Sequence, residues 1–217
     1  MKLYAVVGSG NCRKAQATID SLGMDVAIEY LDLFAGDLKK PGYLALNPNG
    51  RVPVLSDGDF VLWESNAIMQ YLADKVAGNT LFPTDPQIRA DIVSWQCWEL
   101  AHFNNAFATI AYQTVLKPQL FGQQANQPVV DDASESLRGF ASVLEARLSK
   151  RDYVVGHAIT LADYSIINIE GFKEMIPFDW SEYPNLNAYF DRMRADPHWA
   201  GTAPASPESI GRKPVAA

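Results

Sequence analysis

Cysteine and histidine are scarce in this 217-residue chain, long apolar runs are absent, and basic residues are in the minority. Two cysteines, Cys12 and Cys97, are too few and too far apart for a disulfide framework or a cysteine metal site. Of the three histidines, His157 and His198 show no spacing suggestive of a catalytic triad or a metal site, so no metal is expected. No apolar run approaches the roughly 20 residues needed to cross a bilayer. With 18 Lys and Arg against 25 Asp and Glu, the net charge of −7 argues against nucleic-acid binding through a general basic surface. The opening MKLYAVVGSG goes directly into a strand-like segment and lacks the features of a secretory leader, so a soluble cytoplasmic protein is expected. What the chain does have is 48% hydrophobic residues, ample for two small domains or one large one.

The stretch from Asn47 to Leu72 organises the rest. Val52-Pro53-Val54-Leu55 reads as a strand opening after a Val-Pro pair, Asp57-Gly58 as a hairpin turn, and Phe60-Val61-Leu62-Trp63 as the returning strand. Glu64-Ser65-Asn66 then places polar side chains at a helix start, and Ile68, Tyr71, Leu72 and Val76 form the apolar stripe of that helix. Pro53 cannot donate to a ladder, so it belongs at a strand start, where a cis bond can be selected and would aim the Val52 backbone outward. An outward Val52 can pair with an extended peptide, whose carboxylate end would meet Glu64, Ser65 and the helix N-terminus. The alternative is an ordinary proline-started hairpin followed by an N-cap.

Upstream, Leu3 to Val7 reads as a strand and Cys12, Ala15, Ile19 and Leu22 as one helix face stopped at Gly23, followed by a strand over Val26 to Leu31. A short helical pattern then leads into the hairpin. The order βαβ, helix, ββα is that of a thioredoxin-like domain. Ser9-Gly10-Asn11-Cys12 stands where redox members carry Cys-x-x-Cys, but a serine cannot act as the attacking thiol. It can donate to a bound thiolate and lower that thiol's pKa. The Asn11 amide is a second such donor, and both residues could instead simply cap the helix. Cys12 has the spacing of a core residue.

A turn-rich linker over residues 78–86 separates this half from one that is helical throughout. Asp85-Pro86 makes an N-cap pair for a long helix running toward Tyr112, and a further stripe runs from Asp131 to Lys150. Ile159 to Tyr164 reads as a capping box with a hydrophobic staple. The domains expected are therefore 1–77, thioredoxin-like, and 87–200, all-helical, with an irregular tail over 201–217 that covers the active site or trails.

NPNGRVPVL followed by WESNAIMQYLA resembles the glutathione-binding half of a cytosolic glutathione S-transferase, in particular the bacterial theta- and nu-like groups, and Ser-x-x-Cys-Arg matches the theta-like pattern. The resemblance implies an α/β thioredoxin-like domain followed by an all-α helical bundle. It implies a cis Pro53, Val52 pairing with the cysteinyl backbone of glutathione, and Glu64 and Ser65 holding its γ-glutamyl end. Ser9, with Asn11 beside it, would stabilise the thiolate. Arg51 and Lys39 match basic positions at the glycyl carboxylate, although the histidine often found before that lysine is here Leu38. Glutathione would be the cosubstrate, and an electrophile the partner substrate, bound between the domains against His102, Phe103, Phe107 and Tyr112. A homodimer is implied as well. The rival expectations are a nu-like glutathione-dependent disulfide reductase and a non-enzymatic binding protein on the same scaffold.

Overall fold

The computed structural model describes residues 1–214, with the main chain alone at Leu120. Two compact units result: Met1–Pro83 together with the chain from Ala195 onward, and Thr84–Arg194.

The first unit is built on a four-stranded sheet in the order β2-β1-β3-β4. Strand β1 (Lys2–Ala5) is followed by helix α1 (Gly10–Ser21) and by β2 (Ala27–Tyr30), which lies parallel to β1. A short 3-10 turn (Asp37–Lys39) and helix α2 (Pro41–Leu44) lead to β3 (Val54–Asp57) and β4 (Phe60–Trp63), both antiparallel to their neighbours. Helix α3 (Ser65–Asp74) closes the order expected of a thioredoxin-like domain. Alternation along β1 sends Leu3 and Ala5 to one face and Tyr4 and Val6 to the other. The first face meets Cys12, Ala15 and Ile19 of α1 and Ile68 and Leu72 of α3; the second meets Leu38 and Tyr43. Each leucine or isoleucine among them contributes about 1.5–3 kcal/mol when fully buried.

Local signals account for most boundaries. Gly23 takes the left-handed conformation just past α1, and the amide of Met24 returns to the carbonyl of Ile19. Asp57 pairs with Phe60, so the hairpin turns on Gly58-Asp59, one residue beyond the expected pair, with Gly58 supplying the positive φ.

In the second unit, α4 (Pro86–Trp98) starts on Asp85, whose carboxylate accepts from the amides of Gln87 and Ile88. A π-helical turn (Glu99–Phe103), α5 (Asn104–Ala111), a second π turn (Tyr112–Leu116) and α6 (Lys117–Phe121) continue the run. Helix α7 (Gln127–Leu148) begins four residues before the stripe predicts, because Pro128 suits a first turn and the carbonyl of Asn126 receives the amides of Val129 and Val130. The capping box is present at α8 (Leu161–Ile166), and α9 (Pro184–Arg194) completes this unit.

Helix α10 (Pro197–Ala200) precedes the stretch expected as an irregular tail, which itself holds a 3-10 turn (Pro207–Ser209), and both belong to the first unit. No helix among the described residues is long and apolar enough to cross a membrane.

Candidate functional site

The first unit brings the N-terminal ends of α1 and α3 together. Ser65 opens α3 almost fully buried, and its Oγ donates to Oδ1 of Asn11, the second residue of α1, at 3.2 Å. Residues 54 positions apart thus share one small polar surface. Buried Lys14 reinforces the junction by donating to Oδ1 of Asn66 at 3.5 Å.

Ser9 occupies the N-cap position of α1 in extended backbone but makes no side-chain capping bond. Its hydroxyl is therefore not spent on the amides of its own helix. It approaches the thiol of Cys12 instead, which also accepts the Val6 amide at 3.4 Å. Burial pushes the Cys12 thiol up to about 11, outweighing both hydrogen bonds. Cys12 is thus a core residue, as its spacing predicts, and a neutral thiol at physiological pH. A Cys97→Ser variant should resist a thiol reagent until it is unfolded; prompt labelling of the folded variant would show that Cys12 is accessible.

The Val52–Pro53 bond is cis. The ladder of β3 begins at Val54, leaving the half-buried Val52 beyond its paired end, and among the described residues its main chain makes no hydrogen bond. The residue before it is clamped: the carbonyl of Arg51 accepts from the Tyr43 hydroxyl at 2.6 Å and from Nδ2 of Asn47 at 2.8 Å. Asn47, buried, also accepts from the amide and side chain of Asn49. Sequence reasoning did not single out Tyr43 and Asn47 as supports for Val52. The Asn-Pro-Asn-Gly turn was the available signal.

Glu64 is the non-glycine residue with positive φ among those described, at 74°. Such a backbone costs on the order of 1–3 kcal/mol and persists where surrounding structure over-determines it. It lies at the turn from β4 into α3, with its side chain exposed beside the buried Ser65. Lys39 and Arg51 are exposed cationic side chains, Lys39 ending the 3-10 turn and Arg51 preceding Val52.

The four residues expected around a second substrate all lie in the second unit. Phe103 is fully buried and stacks on Trp98 at 5.7 Å between ring centroids, and Phe107 is buried too, so these two rings present no surface to a ligand. His102 and Tyr112 are exposed, and His102 packs against Phe140 at 5.2 Å. Cavities of about 380 Å³ open elsewhere, one beside Val130, Arg138 and Phe178, another at the β2 edge beside Ile28 and Lys213. Neither includes Ser9, Val52 or Ser65, but a peptide held by main-chain pairing at a strand end needs no deep cavity. Among the described residues no group of His, Cys, Asp and Glu could hold a metal ion.

The arrangement offers an unpaired strand end, two helix N-termini carrying small hydroxyl and amide groups, and two exposed cationic side chains in the same unit, features suited to an extended peptide with an anionic end. Comparison with known proteins identifies the family. Residues 1–74 match the model of the glutathione S-transferase N-terminal domain and residues 103–197 that of the C-terminal domain. The chain is 36% identical over 199 residues to the probable glutathione S-transferase GSTF2 of Oryza sativa subsp. japonica, spanning 91% of this chain and 93% of that protein. It superimposes on glutathione transferase F7 from Populus trichocarpa with a TM-score of 0.84 at 29% identity, covering 93% of this chain and 96% of the other. The theta class glutathione S-transferase from Xanthomonas axonopodis pv. citri, solved with glutathione bound, gives 0.83 at 28% identity, covering 94% and 97%.

Proposed function

The chain belongs to the glutathione S-transferase family, and from that premise we propose how its residues carry out glutathione transfer. It is a glutathione transferase. Glutathione lies extended along Val52, its cysteinyl amide and carbonyl pairing with that unpaired main chain ahead of Pro53. The γ-glutamyl end is held by Glu64 and Ser65, and Lys39 and Arg51 draw in the glycyl carboxylate. The thiol sits at the N-terminus of α1, where the Ser9 hydroxyl donates to it and Asn11 stands beside it. Loss of its proton to solvent leaves a thiolate that the helix dipole and the hydroxyl stabilise. That thiolate forms a bond to an electrophilic carbon, and the leaving group departs with the displaced electron pair. The protein supplies orientation and anion stabilisation, while the nucleophile comes from the cosubstrate.

The observation that carries this reading is the Ser65–Asn11 hydrogen bond, because it joins the γ-glutamyl and thiol ends of the site on one surface. His102 and Tyr112, exposed on the α4–α6 run, are assigned to the electrophile; Phe103 and Phe107 support the helix beneath them. The Ser-x-x-Cys-Arg motif supports a theta-like grouping within the family, alongside relatives that include plant enzymes. A cytoplasmic homodimer is the assembly this reading entails.

Titration calorimetry with glutathione tests it. Ser65→Ala removes a hydrogen bond to a charged group worth about 1.5–3 kcal/mol, so affinity should fall about tenfold or more. Unchanged affinity would remove Ser65 from the site, and absence of binding to the parent protein would favour the non-enzymatic scaffold.

A further inference from the structure

The chain beyond Ser209 returns to the end of the sheet that carries Ser9. Strands β1 and β2 pair from Lys2 with Ala27 to Ala5 with Tyr30, and the Leu31 amide still reaches the carbonyl of Ala5 at 2.8 Å. Past that point Gly211 joins the two chains. Its amide donates to the carbonyl of Val7 at 2.9 Å, and its carbonyl accepts the amide of Leu33 at 2.8 Å. One residue from the far end of the sequence thus bridges the continuations of two parallel strands.

The fit admits little else. Gly211 is buried with φ near 80°, and a Cβ there would stand 2.8 Å from Cε2 of Phe34. Arg212 lies over the same Phe34 ring, 5.0 Å from its centroid. The side chain of Ile210 covers Gly8 so closely that a Cβ on Gly8 would meet Cγ1 of Ile210 at 3.0 Å. Gly8 itself has a φ of 78°. The next residue is Ser9, whose amide returns to the carbonyl of Val6 at 3.2 Å and whose carbonyl receives the amide of Arg13 at 2.9 Å. Ile210 and Gly211 therefore hold the main chain on the N-terminal side of Ser9, while α1 holds it on the other.

The returning segment is itself fixed to α1. Arg13 donates from Nε to the Thr202 hydroxyl at 2.9 Å and from Nη2 to the carbonyl of Trp199 at 3.3 Å, with its guanidinium 4.0 Å from the centre of the buried Trp199 ring. Asp20 faces Nδ1 of His198 at 2.7 Å.

We infer that Ile210 and Gly211 are positioning residues for Ser9, a strap that sets where its hydroxyl meets the glutathione thiol. The inference rests on the assignment of Ser9 proposed above. A displacement of 1 Å in a reacting group can cost about 10²-fold in rate, so loosening a flank of Ser9 should lower kcat with little change in peptide binding, which Val52, Glu64 and Ser65 govern.

The test uses the full-length chain as Ile210→Ala, Ile210→Val, Gly211→Ala and Ser9→Ala variants. The readout is the pH titration of the bound glutathione thiol by thiolate absorbance, with kcat and glutathione affinity on the same samples. Ile210→Ala and Gly211→Ala should raise the titration midpoint and lower kcat about tenfold near neutral pH, with recovery in alkali and affinity within about threefold of the parent. Ile210→Val should restore the parent titration. A purely structural strap would lower the melting temperature and leave the midpoint of the folded protein where it was, which would overturn the inference. Should Gly211→Ala fail to fold, Ile210→Ala against Ile210→Val decides alone. If Ser9→Ala shifts the midpoint and the strap variants do not, the inference fails and the Ser9 assignment stands. If Ser9→Ala shifts nothing, both fall.

Discussion

Asp163→Asn should lower the stability of the protein by about 3 kcal/mol or more near neutral pH, among the largest single-site effects in the chain. Asp163 is fully buried and both of its oxygens are occupied as acceptors. Oδ1 takes the Val154 amide at 2.8 Å and the Tyr189 hydroxyl at 3.3 Å; Oδ2 takes the Thr160 amide at 2.8 Å and its hydroxyl at 3.0 Å. An asparagine has one acceptor oxygen and one amide that only donates, so either rotamer points an NH2 group at a main-chain N–H. The packing is nearly unchanged, and the loss isolates the polar mismatch.

The same site sets a pH signature. Burial raises the Asp163 carboxyl to about 6, against an ordinary value of 3.8, outweighing the hydrogen bonds that favour its charge. Between those values the folded chain binds the proton and the unfolded chain does not. The contribution of Asp163 to stability therefore falls as pH rises through this window, by on the order of 3 kcal/mol. Asparagine does not titrate, so the stability gap between the two proteins should widen on going from about pH 6 to about pH 4. Chemical denaturation of both proteins across that range checks the sign; a gap that narrows toward acid would mean that the folded state holds Asp163 charged.

How legible such features were in the sequence follows from how local their causes are. The capping box could be read because Thr160 and Asp163 lie within one helical turn, and Pro53 could be placed because a missing amide limits where a strand tolerates it. Glu64, Ser65 and Asn66 announced a helix start beside a strand for the same reason. Aromatic residues on the long helical run were harder. From Trp98 onward the π turn at Glu99–Phe103 adds a residue to the turn and rotates the stripe that follows, so regular helical spacing cannot separate the buried Phe103 and Phe107 from the exposed His102 and Tyr112. The C-terminal strap had no local signature at all. Its Pro, Ala, Gly and Ser residues carry no period, and what fixes them are contacts to Arg13, Gly8 and Phe34 on the opposite end of the chain.

Ser9→Ala should raise the midpoint of the bound glutathione thiol by about 1–2 pH units, because a hydrogen bond to a charged group is worth about 1.5–3 kcal/mol and 1.36 kcal/mol corresponds to one unit. The sign follows from which form the hydroxyl favours. Ser9 donates to the thiolate more strongly than to the thiol, so its removal penalises the reactive state and leaves the resting one nearly untouched. Turnover at about pH 6.5 should then fall roughly 10- to 100-fold and recover as pH climbs past the new midpoint. Glutathione affinity measured well below that midpoint should hardly change, since Val52, Glu64 and Ser65 are intact. Alanine also removes the contact with Cys12, but that thiol is buried and neutral, so no new charge appears in the site. Asn11→Ala is the companion measurement, and it reads differently. Oδ1 of Asn11 receives the Ser65 hydroxyl, so its loss removes the partner that orients Ser65 and should weaken glutathione binding along with any shift in the thiol titration. A midpoint that moves in Asn11→Ala and stays fixed in Ser9→Ala would transfer the role to the amide. A midpoint fixed in both would leave thiolate stabilisation to the main-chain amides at the start of α1.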